Sequence, residues 1–208
     1  MGMSTRPSPA RMRPFATYDL PGIYRVCAEV DARGGAMRQQ LRAPDLAGHI
    51  FAGPYLMADP GLSWVIADDQ GVEGYVVATA DAMQFERWRE EVWFPPIREQ
   101  YPLSAIARES PDDSRYLEIL HAPPREASAF TSDYLAELHI KLDPRVARQG
   151  WGTQLINELV ATLRQRRVGG VHLSVSIENA SAVAFYSSVG FVPSKQSDRT
   201  LTMTKRLA

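Results

Sequence analysis

Apolar residues recur along this chain at helical spacing in some segments and at strand spacing in others. Near the N-terminus, residues 15–18 predict a short strand. Asp19 is suited to cap the helix that follows, and Pro21 suits the first turn of that helix. One apolar stripe supports the helix, and it consists of Ile23, Val26, Cys27 and Val30.

The middle of the chain predicts a hairpin followed by two helices. Two apolar runs within residues 62–80 flank the turn sequence Asp68-Asp69-Gln70-Gly71, which favours a β-hairpin. Helical patterns follow over residues 83–101 and 112–121, and Pro95-Pro96 should end or kink the first of them. Residues 122–131 are predicted to be a polar loop.

The C-terminal third alternates between strands and helices. Strands are predicted at residues 134–142 and 171–177, helices at 150–167 and 179–189, and short strands near residues 191 and 201–203. A strand–helix–strand unit with a connection this long favours a right-handed crossover and parallel strands. We therefore predict one α/β domain with a mixed central sheet flanked by helices, over residues 13–208, after a disordered tail at residues 1–12.

Composition excludes several classes of function. The chain has 208 residues, and Lys+Arg 23 against Asp+Glu 24 give a net charge of −1, so it lacks the basic field of a nucleic-acid binder. The single cysteine, Cys27, excludes an internal disulfide, and the four histidines have no zinc-ligand spacing. No apolar run reaches the ~18 residues of a membrane span. We expect a cytoplasmic protein without a metal, a nucleic-acid partner or a membrane partner.

Two glycines one residue apart open the predicted helix at 150–167. Gly150 and Gly152 lack β-carbons where the free N–H groups of a helix N-terminus emerge, so an anion can approach closely. Arg145 and Arg148 add positive charge beside them. The same glycines would also suit a turn that merely permits tight packing, and this motif by itself leaves both interpretations open.

With the segment 178–191, this turn resembles the GNAT superfamily of acetyl-CoA-dependent N-acetyltransferases. The matching residues are Gly150, Gly152, Asn179, Ala182, Tyr186, Gly190 and Phe191. The resemblance implies the GNAT fold and acetyl-CoA as co-substrate. It also implies that the turn binds the coenzyme pyrophosphate and that the helix at 179–189 lies beside the pantetheine. Ala147 departs from the pattern, since the family usually has Gln or Arg at that position.

A closer resemblance covers about residues 13–208. The segments 45–48, 52–56 and 93–102 are similar to the acetyltransferase-like C-terminal domain of animal O-GlcNAcases. Unlike those domains, this chain keeps the glycine turn, which implies a free-standing bacterial-type relative with an intact coenzyme site. The coenzyme-binding set that the resemblance implies is Ile140 and Leu142 through their main chain, with Arg148, Gln149, Gly150, Trp151, Gly152, Thr153, Asn179 and Tyr186.

Tyr186 is the candidate general acid. A phenol with a pKa near 10 is protonated at neutral pH and can donate to a departing thiolate, whose conjugate thiol has a pKa of about 8.5. The alternative is that Tyr186 only packs in the core beside Phe185. On a helix the two side chains point about 100° apart, so Phe185 can face the core while Tyr186 faces the cleft.

The general base has several candidates. Glu137, His139 and Lys141 share one face of the predicted strand at 134–142, and Glu137 or His139 would deprotonate the amine directly or through water. A partly solvated face explains the same pattern. Asp143, at the strand end, would either orient the substrate or cap the turn.

Asp81, Trp93 and Tyr55 are candidates for the acceptor pocket, although aromatic residues near prolines often pack in cores. The expected function is acetyl transfer to a primary amine of unknown identity. The alternative is an acetyl-CoA-binding regulatory module or pseudo-enzyme without turnover. A nicotinamide-dependent oxidoreductase is disfavoured because the turn lacks a third glycine. Acetyl-CoA and the amine are the expected partners, and the sequence leaves open whether the protein forms a homodimer.

Overall fold

One seven-stranded mixed sheet runs through the computed structural model, which describes residues 9–30, 41–104, 111–124 and 132–207. The strands follow the order β1-β2-β3-β4-β5-β7-β6. Their bounds are Arg11–Pro14 (β1), Ser63–Asp68 (β2), Gly71–Thr79 (β3), Ala136–Leu142 (β4), Gly170–Ser176 (β5), Val192–Gln196 (β6) and Thr200–Arg206 (β7). The β4–β5 pair is parallel and the other pairs are antiparallel. The predicted mixed α/β sheet is therefore confirmed.

Helices cover both faces of this sheet. Their bounds are Leu20–Glu29 (α1), Pro44–Phe51 (α2), Gly53–Ala58 (α3), Ala82–Trp88 (α4), Phe94–Gln100 (α5), Pro111–His121 (α6), Trp151–Gln165 (α7) and Ala180–Ser188 (α8). No helix in the described part of the chain is long and apolar enough to cross a membrane. Strand alternation decides which helices each face receives: Val76 packs toward α7 and α8, whereas Val77 packs toward α1 and α3.

A third layer of helices lies outside α2. Apolar side chains of α5 and α6, including Phe94 and Leu117, pack against Leu46 and Ile50 of α2. Asp113 of α6 is fully buried, and its carboxylate accepts hydrogen bonds from the main-chain N–H groups of Arg42 and Ala43. These two bonds fix α6 to the start of α2.

Predictions near the N-terminus were partly wrong. The first strand occupies residues 11–14 rather than 15–18, and it pairs with β2. Arg11 and Met12 are therefore ordered in the sheet and do not belong to a tail, while residues 1–8 lie outside the described residues. The α1 helix is confirmed, but the Asp19 carboxylate does not cap it. That carboxylate accepts hydrogen bonds from the Arg13 side chain and from the Ala16 N–H.

Pro95 and Pro96 do not terminate the helix that precedes them. A π-helical turn, Arg89–Trp93, joins α4 to α5, and the prolines occupy the first turn of α5. A first helical turn has no partner for its N–H groups, so the missing proline N–H costs nothing there. The hairpin β2–β3 is confirmed, whereas α2 and α3 were not predicted. Residues 125–131 of the predicted loop lie outside the described residues.

Replacing Asp113 by alanine should destabilise the fold. Asp113→Ala leaves the N–H groups of Arg42 and Ala43 without their acceptor, so we expect the free energy of unfolding to fall by about 1–3 kcal/mol. Asp69→Ala, at an exposed position, removes the same charge and should change stability by less than about 0.5 kcal/mol. Chemical denaturation of both variants checks this, and equal losses would contradict the role given to Asp113.

Candidate active site

The parallel strands β4 and β5 pair at only two positions and then separate. Ala136 pairs with Val171 and Glu137 with His172, although both strands continue for several residues. Beyond these pairs β4 remains bonded to β3, and β5 to β7, on their outer sides. The facing edges therefore leave a slot with unpaired main-chain groups, which an extended ligand can join as an added strand. The predicted main-chain contacts, Ile140 and Leu142, lie along this slot.

A run of free N–H groups follows the slot. It lies in the glycine turn, as we name residues 143–153. The N–H groups of residues 145–147 all bond to Asp143. Those of residues 148–153 donate to no described residue. Gly150 has a φ of +85 and Arg148 a φ of +59, and a β-carbon at position 150 would meet no atom within 4 Å. An anion would thus find open space before a positive helix end.

The two glycines of the turn are required for different physical reasons. Gly150 adopts a left-handed backbone that other residues rarely adopt. A β-carbon at Gly152 would lie 3.0 Å from Phe185 Cζ, so this glycine permits α8 to pack against α7. Tight packing, one of the two interpretations left open by the sequence, therefore applies to Gly152.

The other predicted coenzyme-binding residues surround the same turn. Arg148 is exposed and forms no ion pair with any described residue, whereas Gln149 Nε2 donates to the carbonyl of Arg145. Thr153 is exposed, and the buried Trp151 indole N–H has no acceptor among the described residues. Asn179 caps α8, since its Oδ1 accepts from the Ala182 N–H over 3.0 Å. Asn179 therefore positions α8.

Tyr186 lies in the core cluster that also contains residues of both separated strands. It is 8% exposed and packs in one cluster with Leu138 of β4 and Val175 of β5. Its ring centroid lies 5.8 Å from that of Phe191. Burial raises the pKa of Tyr186, so the phenol keeps its proton at neutral pH. A general acid must be protonated, but the same shift makes the phenol a weaker proton donor to a thiolate. The burial of Tyr186 also agrees with the alternative that it packs in the core.

The polar face of β4 is only partly covered by helices, since Glu137, His139 and Lys141 are each half-buried. Lys141 Nζ donates to the carbonyls of Cys27 and Val30 at the C-terminal end of α1. The His139 ring stacks on Phe51 of α2 with centroids 5.6 Å apart. Burial, with a smaller contribution from Lys141, lowers the pKa of His139 to about 3. An imidazole of such low basicity is a poor base for an ammonium group, so this finding counts against His139 and leaves Glu137 as the candidate on this face.

Hydrogen bonds or core packing within the protein account for the positions of Asp143, Asp81 and Tyr55. Asp143 is 8% exposed and accepts from the N–H and the Nε of Arg145, so the capping alternative describes it. Asp81 caps α4 by accepting from the Gln84 N–H. Tyr55 is 4% exposed in the core, with its ring 4.3 Å from that of Phe85. This burial counts against the prediction that Tyr55 lines an acceptor pocket.

Trp93 is partly exposed at the end of the π-helical turn. Its indole N–H donates to the carbonyl of His49 over 2.8 Å, and its ring stacks near Trp88. These contacts connect α2 with the π-helical turn and α4. Trp93 stays a candidate for the acceptor side.

Residues 37–191 match the model of the Acetyltransferase (GNAT) family. The chain belongs to this family. The separated parallel strands and the glycine turn described above lie within the matched range. The GNAT fold that the resemblance implied is thereby confirmed.

Individual relatives agree with the family. The chain is 24% identical to the protein O-GlcNAcase of Rattus norvegicus over 185 residues, which cover 86% of this chain and 20% of that protein. It is 34% identical over 96 residues to the ribosomal protein bS18-alanine N-acetyltransferase of Escherichia coli K12, covering 44% of this chain and 65% of that enzyme. The crystal structure of SsHAT superimposes with a TM-score of 0.84 at 29% identity, over 97% of this chain and 100% of that one.

Sequence reasoning missed a cleft and a charge cluster beside the turn. A cleft of about 990 Å³ is lined by Tyr24, Arg25, His49, Asp143, Arg145 and other residues of α1 and α2. Beneath it lies the buried Glu73, which contacts Arg25 and Arg145. Glu73 could have been noticed because it is the one charged residue in the otherwise apolar strand β3. No metal-binding group of three or more His, Cys, Asp or Glu occurs among the described residues.

The low pKa of His139 should make the fold sensitive to acid. The unfolded chain binds a proton at histidine near pH 6.5, while the folded chain does so only near pH 3. The free energy of unfolding should therefore fall by about 1.4 kcal/mol per pH unit, from His139, as the pH drops below 6.5. His139→Phe keeps the aromatic packing and should remove this contribution.

Denaturation of the wild type and His139→Phe at several values between pH 7 and pH 4 measures the difference. His49, whose pKa is also lowered by burial, is present in both proteins and cancels. Equal pH slopes in the two proteins would contradict a buried neutral His139.

Proposed function

We propose that this protein transfers the acetyl group of acetyl-CoA to a primary amine. The proposal rests on one observation: the slot between β4 and β5 leads directly to the free N–H groups of residues 148–153. One feature suits the extended, amide-containing pantetheine, and the other suits a pyrophosphate. Their order along the chain agrees with the order of the two groups in coenzyme A.

The turn would hold the phosphates mainly through its main chain. Up to six N–H groups are available, and Arg148 supplies an exposed positive charge that no described residue neutralises. This arrangement does not need the side chain that the family usually has at position 147, where this chain has alanine. The main chain of Ile140 and Leu142 would bind the pantetheine amides along β4.

Acetyl transfer needs a neutral amine and a protonated leaving group. The amine nitrogen attacks the thioester carbonyl carbon, the C–N bond forms, and the C–S bond breaks to release the coenzyme thiolate. Tyr186 would donate its hydroxyl proton to that thiolate and would recover a proton from the amine side through water. Glu137 would first accept the extra proton of the substrate ammonium group, directly or through a water molecule, which yields the neutral amine that attacks. The proton that the nitrogen loses after the attack is the one that passes through water to Tyr186.

A second candidate is a coenzyme-binding module without turnover. It is favoured by the positions of Asp143 and His139, two predicted catalytic groups that the structure uses in the turn and in the aromatic packing around α2. This candidate shares the coenzyme site with the first and differs only in the chemical step. Coenzyme binding and turnover must therefore be measured separately.

Replacing Gly150 should weaken coenzyme binding. Gly150→Val places a β-branched side chain on a backbone of φ +85 and in the open space before the turn. We expect the affinity for acetyl-CoA to fall at least tenfold, or about 1.4 kcal/mol. Gly71→Val is a matched control, because Gly71 has a φ of +120 and equally open surroundings in the β2–β3 turn.

Isothermal calorimetry with acetyl-CoA, and with NAD as a comparison ligand, provides the measurement. The proposal expects binding of acetyl-CoA by the wild type and by Gly71→Val. An unchanged affinity for acetyl-CoA in folded Gly150→Val, or tighter binding of NAD than of acetyl-CoA, would contradict the proposal that the turn binds the coenzyme.

Removing the Tyr186 hydroxyl should slow the chemical step. Tyr186→Phe keeps the ring contacts with Phe185 and Phe191, so stability and coenzyme affinity should change little. Turnover, followed by thiol release with an accepted amine, should fall by ~10²–10⁴-fold. Phe185→Leu serves as a control for altered packing on the same helix. Turnover within a factor of two of the wild type would show that the hydroxyl is not the acid.

A further inference from the structure

A buried carboxylate lies beneath the glycine turn. Glu73 of β3 is 1% exposed. Arg145 Nη2 donates to Glu73 Oε2, and Arg25 Nη2 lies 3.5 Å from Glu73 Oε1. Burial raises the pKa of Glu73, and the two guanidinium groups oppose that shift. An ionised carboxylate at such depth needs charged partners. Arg145 and Arg25 are therefore the groups that Glu73 holds in place.

Arg145 joins Glu73 to the beginning of the turn. Its main-chain N–H donates to Asp143 Oδ1 over 2.9 Å, and its Nε donates to the same oxygen over 3.2 Å. The Asp143 N–H in turn donates to the main-chain carbonyl of Glu73 over 2.8 Å. The turn is therefore fixed to β3 by one main-chain bond and one ion pair, just before the residues with free N–H groups.

Arg25 joins the same carboxylates to α1. Its Nη2 donates to the carbonyl of Val72, and its Nη1 donates to Glu29 Oε2 over 2.6 Å. Nη1 also lies 3.8 Å from Asp143 Oδ2. The carboxylates of Glu73, Asp143 and Glu29 thus share two guanidinium groups, with three negative charges against two positive ones.

The two arginines of the turn have different surroundings. The Arg145 side chain is 60% exposed, yet its guanidinium group is paired with Glu73 and Asp143. Arg148 is also exposed, but it has no carboxylate partner among the described residues. Arg148 is therefore available to an incoming anion, whereas Arg145 is held as part of the structure beneath the turn.

We propose that Glu73 is a positioning residue for coenzyme binding: through Arg145 it fixes the turn, so that the N–H groups of residues 148–153 are already placed for the pyrophosphate. This inference rests on the proposed function. A turn that is ordered before the ligand arrives loses less conformational entropy on binding. Glu73 acts through the turn and through Arg145, whose guanidinium is already paired.

Removal of the Glu73 charge should therefore affect the phosphate end of the coenzyme selectively. Glu73→Gln keeps the size of the side chain and removes one of the two carboxylate partners of Arg145. We expect the affinity for CoA to fall about tenfold. The affinity for pantetheine, which lacks the pyrophosphate and the nucleotide, should stay within a factor of two, because the slot between β4 and β5 is unaltered.

Calorimetric titration of the full chain with CoA and with pantetheine tests this proposal. Arg145→Met should reproduce the loss, and the double variant Glu73→Gln/Arg145→Met should lose no more than either single variant, since both substitutions break one connection. Arg148→Gln is the matched comparison for a direct phosphate contact. It should flatten the dependence of CoA affinity on salt, whereas Glu73→Gln should keep the wild-type dependence.

Specific outcomes would overturn the proposal. One is that folded Glu73→Gln binds CoA as tightly as the wild type or more tightly. The other is that this variant loses equal affinity for CoA and for pantetheine, which would indicate a general structural role. If Glu73→Gln does not fold, Arg145→Met decides by the same criteria, because its exposed side chain can be replaced at the surface. Absence of CoA binding by the wild type would instead refute the proposed function. Binding that Gly150→Val weakens and that neither Glu73→Gln nor Arg145→Met weakens would refute the positioning role alone.

Discussion

The separation of two parallel strands is the constraint on which the rest of this structure depends. Pairing between β4 and β5 stops after Glu137 and His172, so the following main-chain groups have no partner in the neighbouring strand. Unpaired groups inside a sheet are costly unless solvent or a ligand satisfies them. The strands can stay apart because β3 and β7 hold their outer edges and because α7 and α8 pack across the core beneath them.

The turn at the end of β4 continues this arrangement. It follows directly from the separated strand, and its first residues are fixed to β3 and α1 by charged groups. Its later residues present their N–H groups and include a left-handed Arg148 and a left-handed Gly150. Within eleven residues, the first half of the turn is bonded to β3 and α1, and the second half has free N–H groups. Gly152 completes the arrangement by allowing Phe185 of α8 to approach α7 closely.

The polar face of β4 has a role that its residue types do not suggest. Lysine, histidine and glutamate on a central strand look like the lining of a cleft. Instead, Lys141 satisfies two carbonyls at the end of α1, where a cation also complements the helix dipole. His139 is part of an aromatic cluster with Phe51 and Tyr75. The structure uses these polar side chains to attach α1 and α2 to the sheet, which narrows the candidates for a base to Glu137.

Much of this fold follows from local sequence. The β2–β3 hairpin, the parallel β4–α7–β5 unit and the glycine turn were predictable, because strand alternation, helical stripes and paired glycines depend on neighbouring residues. Helices α2 and α3 were not predicted, since they are stabilised largely by packing with Tyr24, Trp93 and α6. The packing of Tyr55, the capping by Asp81 and Asp143, and the low pKa of His139 were likewise decided by tertiary contacts. The burial of a polar side chain depends on which distant segment covers it, and the pairing of Glu73 with Arg25 and Arg145 joins residues that only the folded sheet brings together.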